Sequence, residues 1–285
     1  MFDKGEYLVE VLPFLKKFFG KIIVIKYGGS AMVDDDLKNN FCKDIVLLKY
    51  VGINPVIVHG GGAEIGSILE KLNIKTEFHN GLRITDEETM DVVVMVLAGK
   101  VNKEIVLRIN SLGGKSVGLS GVDDNIIEAK KMLLNDVDLG FVGDVERVNP
   151  EVIIHLVDAG YIPVISPIGV DKKSGKRYNI NADSVVSAIA SSLKAEKLVF
   201  LTDTDGVLDS NKQLISSIKL SDIDHLIENG TVFGGMIPKL LSAKSAIKAG
   251  VNKVHIINGK KVHSILEEIL TTSGIGTEIV GDDLL

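Results

Sequence analysis

Short apolar runs alternate with amphipathic stretches along most of this chain. Ile22-Ile23-Val24-Ile25 comes first and is followed at once by Lys26-Tyr27-Gly28-Gly29-Ser30. Four consecutive β-favouring residues predict a strand buried on both faces. Asp34-Asp35-Asp36 then predicts a helix N-terminus. That helix should run to about Tyr50, with Leu37, Phe41, Ile45 and Leu48 inward, and end at Gly52. Asn54–Val58 reads as the next strand. It delivers His59-Gly60-Gly61-Gly62, and from Glu64 the pattern is helical again. The unit of strand, glycine turn and helix thus occurs twice. Such alternation predicts a parallel sheet wound by right-handed crossovers, with ligands beyond the carboxyl ends of the strands. Both glycine turns fall on that edge.

Residues 7–19 precede this unit and read as a helix with Leu8, Leu12, Leu15 and Phe19 on one side. Pro13 either starts a second segment or kinks the first. The pattern alone favours a helix packed on its own domain over an arm that docks on another subunit. Phe78–Ile84 contains an Asn-Gly turn and predicts a hairpin. Thr85 should cap a long helix from about Asp86 to Ile109. Lys115–Leu119, Ile126–Met132 and Phe141–Val148 read as short strands, consistent with a β lid. Asn149-Pro150-Glu151 opens a helix, with proline at its first turn. Further strands are expected at Tyr161–Ser166, Leu198–Leu201 and Lys253–Ile257, with an edge strand at Thr277–Val280. Helices are expected at Ser184–Leu193, Ser221–Glu228, 231–249 and His263–Leu270. The polar turn 171–178 is the expected lobe boundary. The fold class is α/β: a three-layer αβα sandwich around an open, mainly parallel sheet of about eight strands. One domain overall would comprise an arm (1–20), an N-terminal lobe (21–175) and a C-terminal lobe (176–285).

Composition narrows the function. The chain has 285 residues, a net charge of −6 and a single cysteine. The acidic balance argues against a nucleic-acid surface. One cysteine, Cys42, cannot form an internal disulfide, which fits a reducing compartment. It falls in a helical pattern and reads as a small core residue. No apolar run approaches a membrane span and the start does not resemble a signal peptide, so a cytoplasmic protein is expected.

The candidate chemistry is anionic. Two glycine turns on one sheet edge let backbone N–H groups approach a ligand. Lys26 beside the first offers a point charge for phosphate. Neither turn matches the dinucleotide fingerprint, and no Walker motif is present. Lys239 lies in the first turns of a helix after Gly234-Gly235, where the helix dipole favours an anion. Asp183 sits at a helix start, with Asn181 as the candidate cap. Asp203 and Asp205 follow a strand and read either as turn residues or as contacts to a nucleotide. Arg83 is a candidate carboxylate clamp. The six histidines show no metal-ligand spacing, and no Ser/His/Asp arrangement is visible.

Lys26-Tyr-Gly-Gly-Ser30, Val58-His-Gly-Gly-Gly62, Gly81-Leu-Arg-Ile-Thr85, Tyr178-Asn-Ile-Asn-Ala-Asp183, Leu201-Thr-Asp-Thr-Asp-Gly206 and Gly234-Gly-Met-Ile-Pro-Lys239 stand in order along the chain. In that order and spacing they resemble the amino acid kinase family, and within it the acetylglutamate branch. The resemblance covers nearly the whole chain. It implies phosphorylation of the side-chain carboxylate of N-acetyl-L-glutamate by ATP with Mg²⁺, a step of arginine biosynthesis. Carried over by motif, Lys26 and Lys239 would stabilise the transition state and Asp183 would organise them. Gly61, Gly62, Arg83 and Asn179 would bind acetylglutamate, and Gly28, Gly29, Asp203 and Gly206 would lie at the phosphates and nucleotide. The stretch His263–Glu278 resembles the arginine-binding segment of arginine-inhibited members, whose N-terminal helix links dimers into a hexamer. That implies an L-arginine site at His255, Glu268 and Gly274, and it turns the 7–19 helix into a docking arm. Tyr27 departs from the apolar residue common at its position, and its hydroxyl needs a partner. Two alternatives stay open: a kinase for a longer acylamino acid such as acetylaminoadipate, and a catalytically silent arginine sensor.

Overall fold

The computed structural model describes residues 6, 9–32, 34–134, 137–272 and 274–284. Strand β1 (Ile22–Tyr27) runs through the middle of an eight-stranded sheet. On one side lie β2 (Asn54–His59), β8 (Ile162–Ser166) and β5 (Ser116–Ser120). On the other lie β11 (Lys197–Thr202), β13 (Lys253–Asn258), β14 (Thr277–Val280) and β12 (Ser217–Lys219). Among the described residues, only β13 and β14 in this sheet pair antiparallel. β14 had been expected at the edge but lies one strand in. The short β12 covers it, and three residues are too few to show a period in the sequence.

The pleat explains the layers. Side chains alternate between faces along a strand. Ile23, Ile25 and Tyr27 enter one apolar core with Ile57, Val199 and Leu201. Val24 enters the other with Val56, Val58, Leu198 and Phe200. The first core is closed by α1 (Leu12–Phe18), α2 (Asp35–Tyr50), α3 (Gly62–Lys71), a long helix at 87–111 and α10 (Ser264–Leu270). The second is closed by α6 (Glu151–Asp158), α7 (Ala182–Ser192), α8 (Asp222–Glu228) and α9 (Met236–Lys248). By this alternation Lys26 leaves β1 on the α7 side, and His59 leaves β2 on the side of the long helix. Cys42 is buried in the first core, as expected.

The long helix has three parts: α4 (Glu87–Val94), a π-helical stretch (Met95–Val101) and α5 (Asn102–Ser111). Its cap is Asp86, whose carboxylate accepts from the Thr89 N–H at 2.8 Å. Thr85, expected in that role, is buried and donates to the Arg83 carbonyl at 2.8 Å. The two-residue loop Asn80-Gly81, with φ of 49° and 79°, joins β3 (Phe78–His79) to β4 (Leu82–Arg83). Positive φ at both loop positions suits the Asn-Gly pair.

Four short strands close on themselves beside the main sheet: β6 (Ile127–Lys131), β7 (Val142–Val148), β9 (Ile168–Val170) and β10 (Arg177–Ile180). Of the strands expected in a lid, Ser116–Ser120 instead joins the main sheet. The polar turn after 171, expected to separate two lobes, is the tip of the β9–β10 hairpin.

In the arm, the expected inward face is rotated. Phe18 is the buried aromatic, with Val11, Phe14 and Leu15 packed beside it, while Phe19 and Leu12 are exposed. Positions 11, 14, 15 and 18 keep the 3.6-residue period, so the inward face is turned by about one position, with Leu15 common to both sets. Tyr7 and Leu8 lie outside the described residues. No helix among the described residues is long and apolar enough to cross a membrane.

Phe200 is 0% exposed at the centre of the second core. Phe200→Ala should cost roughly 3–5 kcal/mol of unfolding free energy, read from urea denaturation.

Candidate active site

The carboxyl ends of β1 and β2 are level, since Lys26 pairs with Val58 and Tyr27 with His59. The two glycine turns therefore meet: the Gly60 N–H donates to the Tyr27 carbonyl at 2.8 Å. Tyr27 itself stacks on Phe41 with ring centroids 3.7 Å apart, and its hydroxyl donates to the Ala31 carbonyl at 3.2 Å. Its partner is thus structural, and it faces the core.

Lys26 crosses to the start of α7. Its Nζ lies 3.2 Å from Asp183 Oδ1, and Lys239 Nζ lies 3.3 Å from Asp183 Oδ2. Asn181 caps α7 by accepting from the Asp183 N–H at 2.8 Å, so Asp183 is free of that task. Asp183 is 6% exposed. Burial works to raise its pKa, but the two ammonium groups outweigh burial and hold the carboxyl below its ordinary range.

On the Lys26 side of this bridge lies a cavity of about 260 Å³. Its walls include Gly60–Gly62, Phe78, Arg83, Leu97, Val142 and Asn179–Asp183. α3 starts at Gly62, so its unpaired N–H groups face this space. Arg83 is buried, which lowers its pKa. It donates to Thr76 Oγ1 at 2.5 Å and to the Gly62 carbonyl at 3.0 Å, and it lies over the Phe78 ring at 4.6 Å. No carboxylate pairs with it among the ion pairs of the described residues, so its charge is free for an anion. Asn179 donates to Thr85 Oγ1 at 3.3 Å.

On the Lys239 side lies a second cavity, of about 350 Å³, walled by Thr202–Thr204, Gly206–Leu208, Thr231–Phe233, Gly235, Met236 and Lys239. Asp203 is exposed at this wall. Asp205 is not in it: its carboxylate takes Asn258 Nδ2 and Lys261 Nζ, each at 2.9 Å, and so ties down the loop.

His255, Glu268 and Gly274 are also brought together at β13, two strands from β1. The Glu268 carboxylate accepts from His255 Nδ1 at 2.6 Å, from the Ile275 N–H at 2.7 Å and from the Gly276 N–H at 3.2 Å. Burial opposes its ionisation, but those donors hold its pKa low. A separate crevice of about 300 Å³ lies between α1 and α10, lined by Glu10, Val11, Phe14 and Glu267 but not by Glu268.

The sequence reading missed several walls: Phe78, Leu97, Val142 and Phe233 are apolar residues with no local mark of a site. It also missed Lys197, buried 5.0 Å from the Phe18 ring, where burial lowers its pKa to about 8 and Glu268 and Glu278 work against that. A lysine opening a strand that is otherwise apolar was the available signal.

Positive charge gathered around one carboxylate, with no imidazole or second acid placed as a general base, suits phosphoryl transfer to an acceptor that is already an anion. The chain belongs to the amino acid kinase family, whose model matches residues 21–258. It is 55% identical over 284 residues to an acetylglutamate kinase from Desulforamulus reducens, covering 98% of each chain. It is 54% identical over 286 residues to an acetylglutamate kinase from Carboxydothermus hydrogenoformans, covering 96% of this chain and 97% of the relative. Among solved structures it resembles N-acetylglutamate synthase from Neisseria gonorrhoeae complexed with coenzyme A and N-acetyl-glutamate, with a TM-score of 0.88 and 26% identity. That match covers 98% of this chain and 64% of the synthase. The same synthase complexed with coenzyme A and L-arginine matches with a TM-score of 0.83 and 25% identity, over 98% of this chain and 66% of that one.

The stability that Asp183 adds is complete above the unfolded carboxylate pKa and is lost as pH falls through the depressed folded value. Asp183→Asn should therefore flatten the fall of melting temperature below pH ~4 that the wild type shows. Parallel curves would mean that the bridge is not ionic.

Proposed function

We propose that the chain transfers the γ-phosphoryl group of ATP to the side-chain carboxylate of N-acetyl-L-glutamate, giving N-acetyl-L-glutamyl 5-phosphate. One observation carries this reading: the Lys26–Asp183–Lys239 bridge stands between two cavities, one suited to an acidic substrate and one to a nucleotide. Arg83 takes the α-carboxylate of acetylglutamate, and Asn179 holds the rest of the substrate beside it. A glutamate side chain has a pKa near ~4.3, so it is already the nucleophile at neutral pH and needs no base. The obstacle is repulsion between two anions. Lys26, Lys239 and the N–H groups of Gly61 and Gly62 lower it, and they stabilise the charge spread over the phosphoryl oxygens in flight. Asp183 keeps the two lysines in place and limits their mutual repulsion. Gly28 and Gly29 leave room for the phosphates.

The adenosine end occupies the cavity of Asp203 and Gly206. Mg²⁺ comes bound to the nucleotide and neutralises charge on its phosphates. The oxygen donors of Thr202, Asp203 and Thr204 suit such a hard cation. No group of three or more metal-ligating side chains occurs among the described residues.

L-arginine is the feedback inhibitor in this reading, bound between α1 and α10 with Glu268 and His255 behind the crevice and Gly274 beside them. The arm then serves two ends, closing the inhibitor site and joining dimers into a hexamer. The arm's contact with α10 supports this: Val11 and Phe14 line the crevice with Glu267 and Leu270. The protein works in the cytoplasm, in arginine biosynthesis, with a division into N- and C-terminal lobes on either side of the β1–β11 junction.

Phosphate transfer from ATP to acetylglutamate, assayed with and without arginine, tests the whole reading. Lys26→Ala and Lys239→Ala should each lower kcat by a factor on the order of 10² or more while KM for acetylglutamate moves little. Near-normal turnover in either variant would remove the bridge from the mechanism. Deleting residues 1–19 should leave dimers by light scattering, and a truncated hexamer would refute the arm.

A further inference from the structure

Behind the second glycine turn lies a buried relay that the reaction above leaves without a task. His59 and Asn102 are both 0% exposed. His59 Nδ1 lies 2.8 Å from the Gly60 carbonyl. A carbonyl only accepts, so Nδ1 carries the hydrogen. Nε2 of the same ring is 3.2 Å from Asn102 Nδ2, which donates to it. The Asn102 amide is itself oriented: its two Nδ2 hydrogens are shared among Nε2, the Val164 carbonyl at 2.9 Å and the Leu119 carbonyl at 3.2 Å, while Oδ1 accepts from Lys103 Nζ at 3.0 Å. One tautomer of His59 satisfies this set, and burial lowers its pKa to about 4, which keeps the ring neutral.

We infer that His59 and Asn102 are positioning residues for phosphoryl transfer, which fix the Gly60–Gly61 peptide so that its N–H faces the reacting phosphoryl group. The inference rests on the kinase reading above. The reason is geometric. In a trans peptide the C=O and the following N–H point in opposite directions. His59 draws the Gly60 carbonyl away from the cavity, so the Gly61 N–H is turned toward the cavity that Gly60–Gly62 line.

Two further features belong to the same device. A Cβ on Gly118 would sit 1.9 Å from Asn102 Oδ1, so glycine in β5 makes the room that Asn102 fills. The π stretch ends at Val101, immediately before Asn102. A π turn holds one residue more than an α turn. Without that residue, Asn102 would rotate by about 100° around the helix and leave His59. The same stretch presses Leu97 on the turn, with its Cδ2 2.5 Å from where a Gly61 Cβ would stand. Helix and ring therefore hold the turn from two sides.

The test uses two substitutions that divide the ring. The amide nitrogen of H59N falls near Nδ1 and can still donate to the Gly60 carbonyl. That of H59Q falls near Nε2 and leaves the carbonyl without a donor. H59Q should lose kcat by a factor on the order of 10² with KM for acetylglutamate little changed, since Arg83 and Asn179 are intact. H59N should recover most of that loss relative to H59Q, although both variants melt at similar temperatures. Equal losses that follow melting temperature would make His59 a packing residue and overturn the proposal. So would a change in KM alone. Nitrogen-15 NMR of the wild type gives a readout apart from activity: Nε2 should stay unprotonated from about pH 5 to 8, the range where an ordinary histidine titrates. A protonated Nε2 overturns the relay. A wild type that does not phosphorylate acetylglutamate refutes the kinase reading, and the NMR result then decides the relay by itself.

Discussion

A carboxylate held between two ammonium groups at the edge of an apolar core is the constraint on which the site depends. Asp183 alone at that depth would be costly to ionise. Lys26 and Lys239 alone would repel each other across the same space. Together the three form a charged unit with a net positive charge, and none of the three can be removed without exposing the cost of the others. The surplus charge is what an anionic acceptor and an anionic donor require. The same pairing therefore stabilises the fold locally and prepares the site before any ligand arrives.

The sheet makes that unit possible. Lys26 is on the α7 side because the side chains of β1 alternate, and a slip of one residue would send it into the first core. Asp183 is at hand because Asn181, two residues earlier, caps α7 at the sheet edge. Lys239 arrives from a different helix on the same face. The opposite face is left to His59, the π stretch and the arm. Chemistry and its scaffolding are thus divided between the two faces of one sheet, with the glycine turns at the edge they share.

Most of this was legible in the sequence where the pattern is local. The strands at 22–27 and 54–59, the glycine turns, the Asn-Gly hairpin and the Asn181 cap all carry their own signatures. The lysines and Asp183 were legible only as motif residues, and their meeting only through the family resemblance, since local pattern carries no information about side chains 56 or more residues apart. The losses have physical causes. The arm's inward face was misassigned by one helical position because Phe18 and Phe19 are adjacent and equally apolar. Only packing against the first core and Lys197 of β11 decides between them. Thr85 and Asp86 are both good caps, and burial of the Thr85 hydroxyl decided for Asp86. The π stretch has no composition of its own. The strand β12 is too short to show a period, and that moved β14 inward from the edge.

Glu268 lies in one cluster with His255 and Gly274 and still does not line the crevice next to it. Its carboxylate already has His255 and two backbone N–H groups as donors, while Glu267 lines the crevice against the arm. A guanidinium that reached Glu268 would have to compete with His255 for Oε1. The imidazole is the partner that can yield, because burial favours its neutral form and the two backbone donors stay on the other oxygen. Binding there would then turn the ring of His255 or move α10 against β13, and in either case the arm would feel it, since Val11 and Phe14 line the crevice against the same helix.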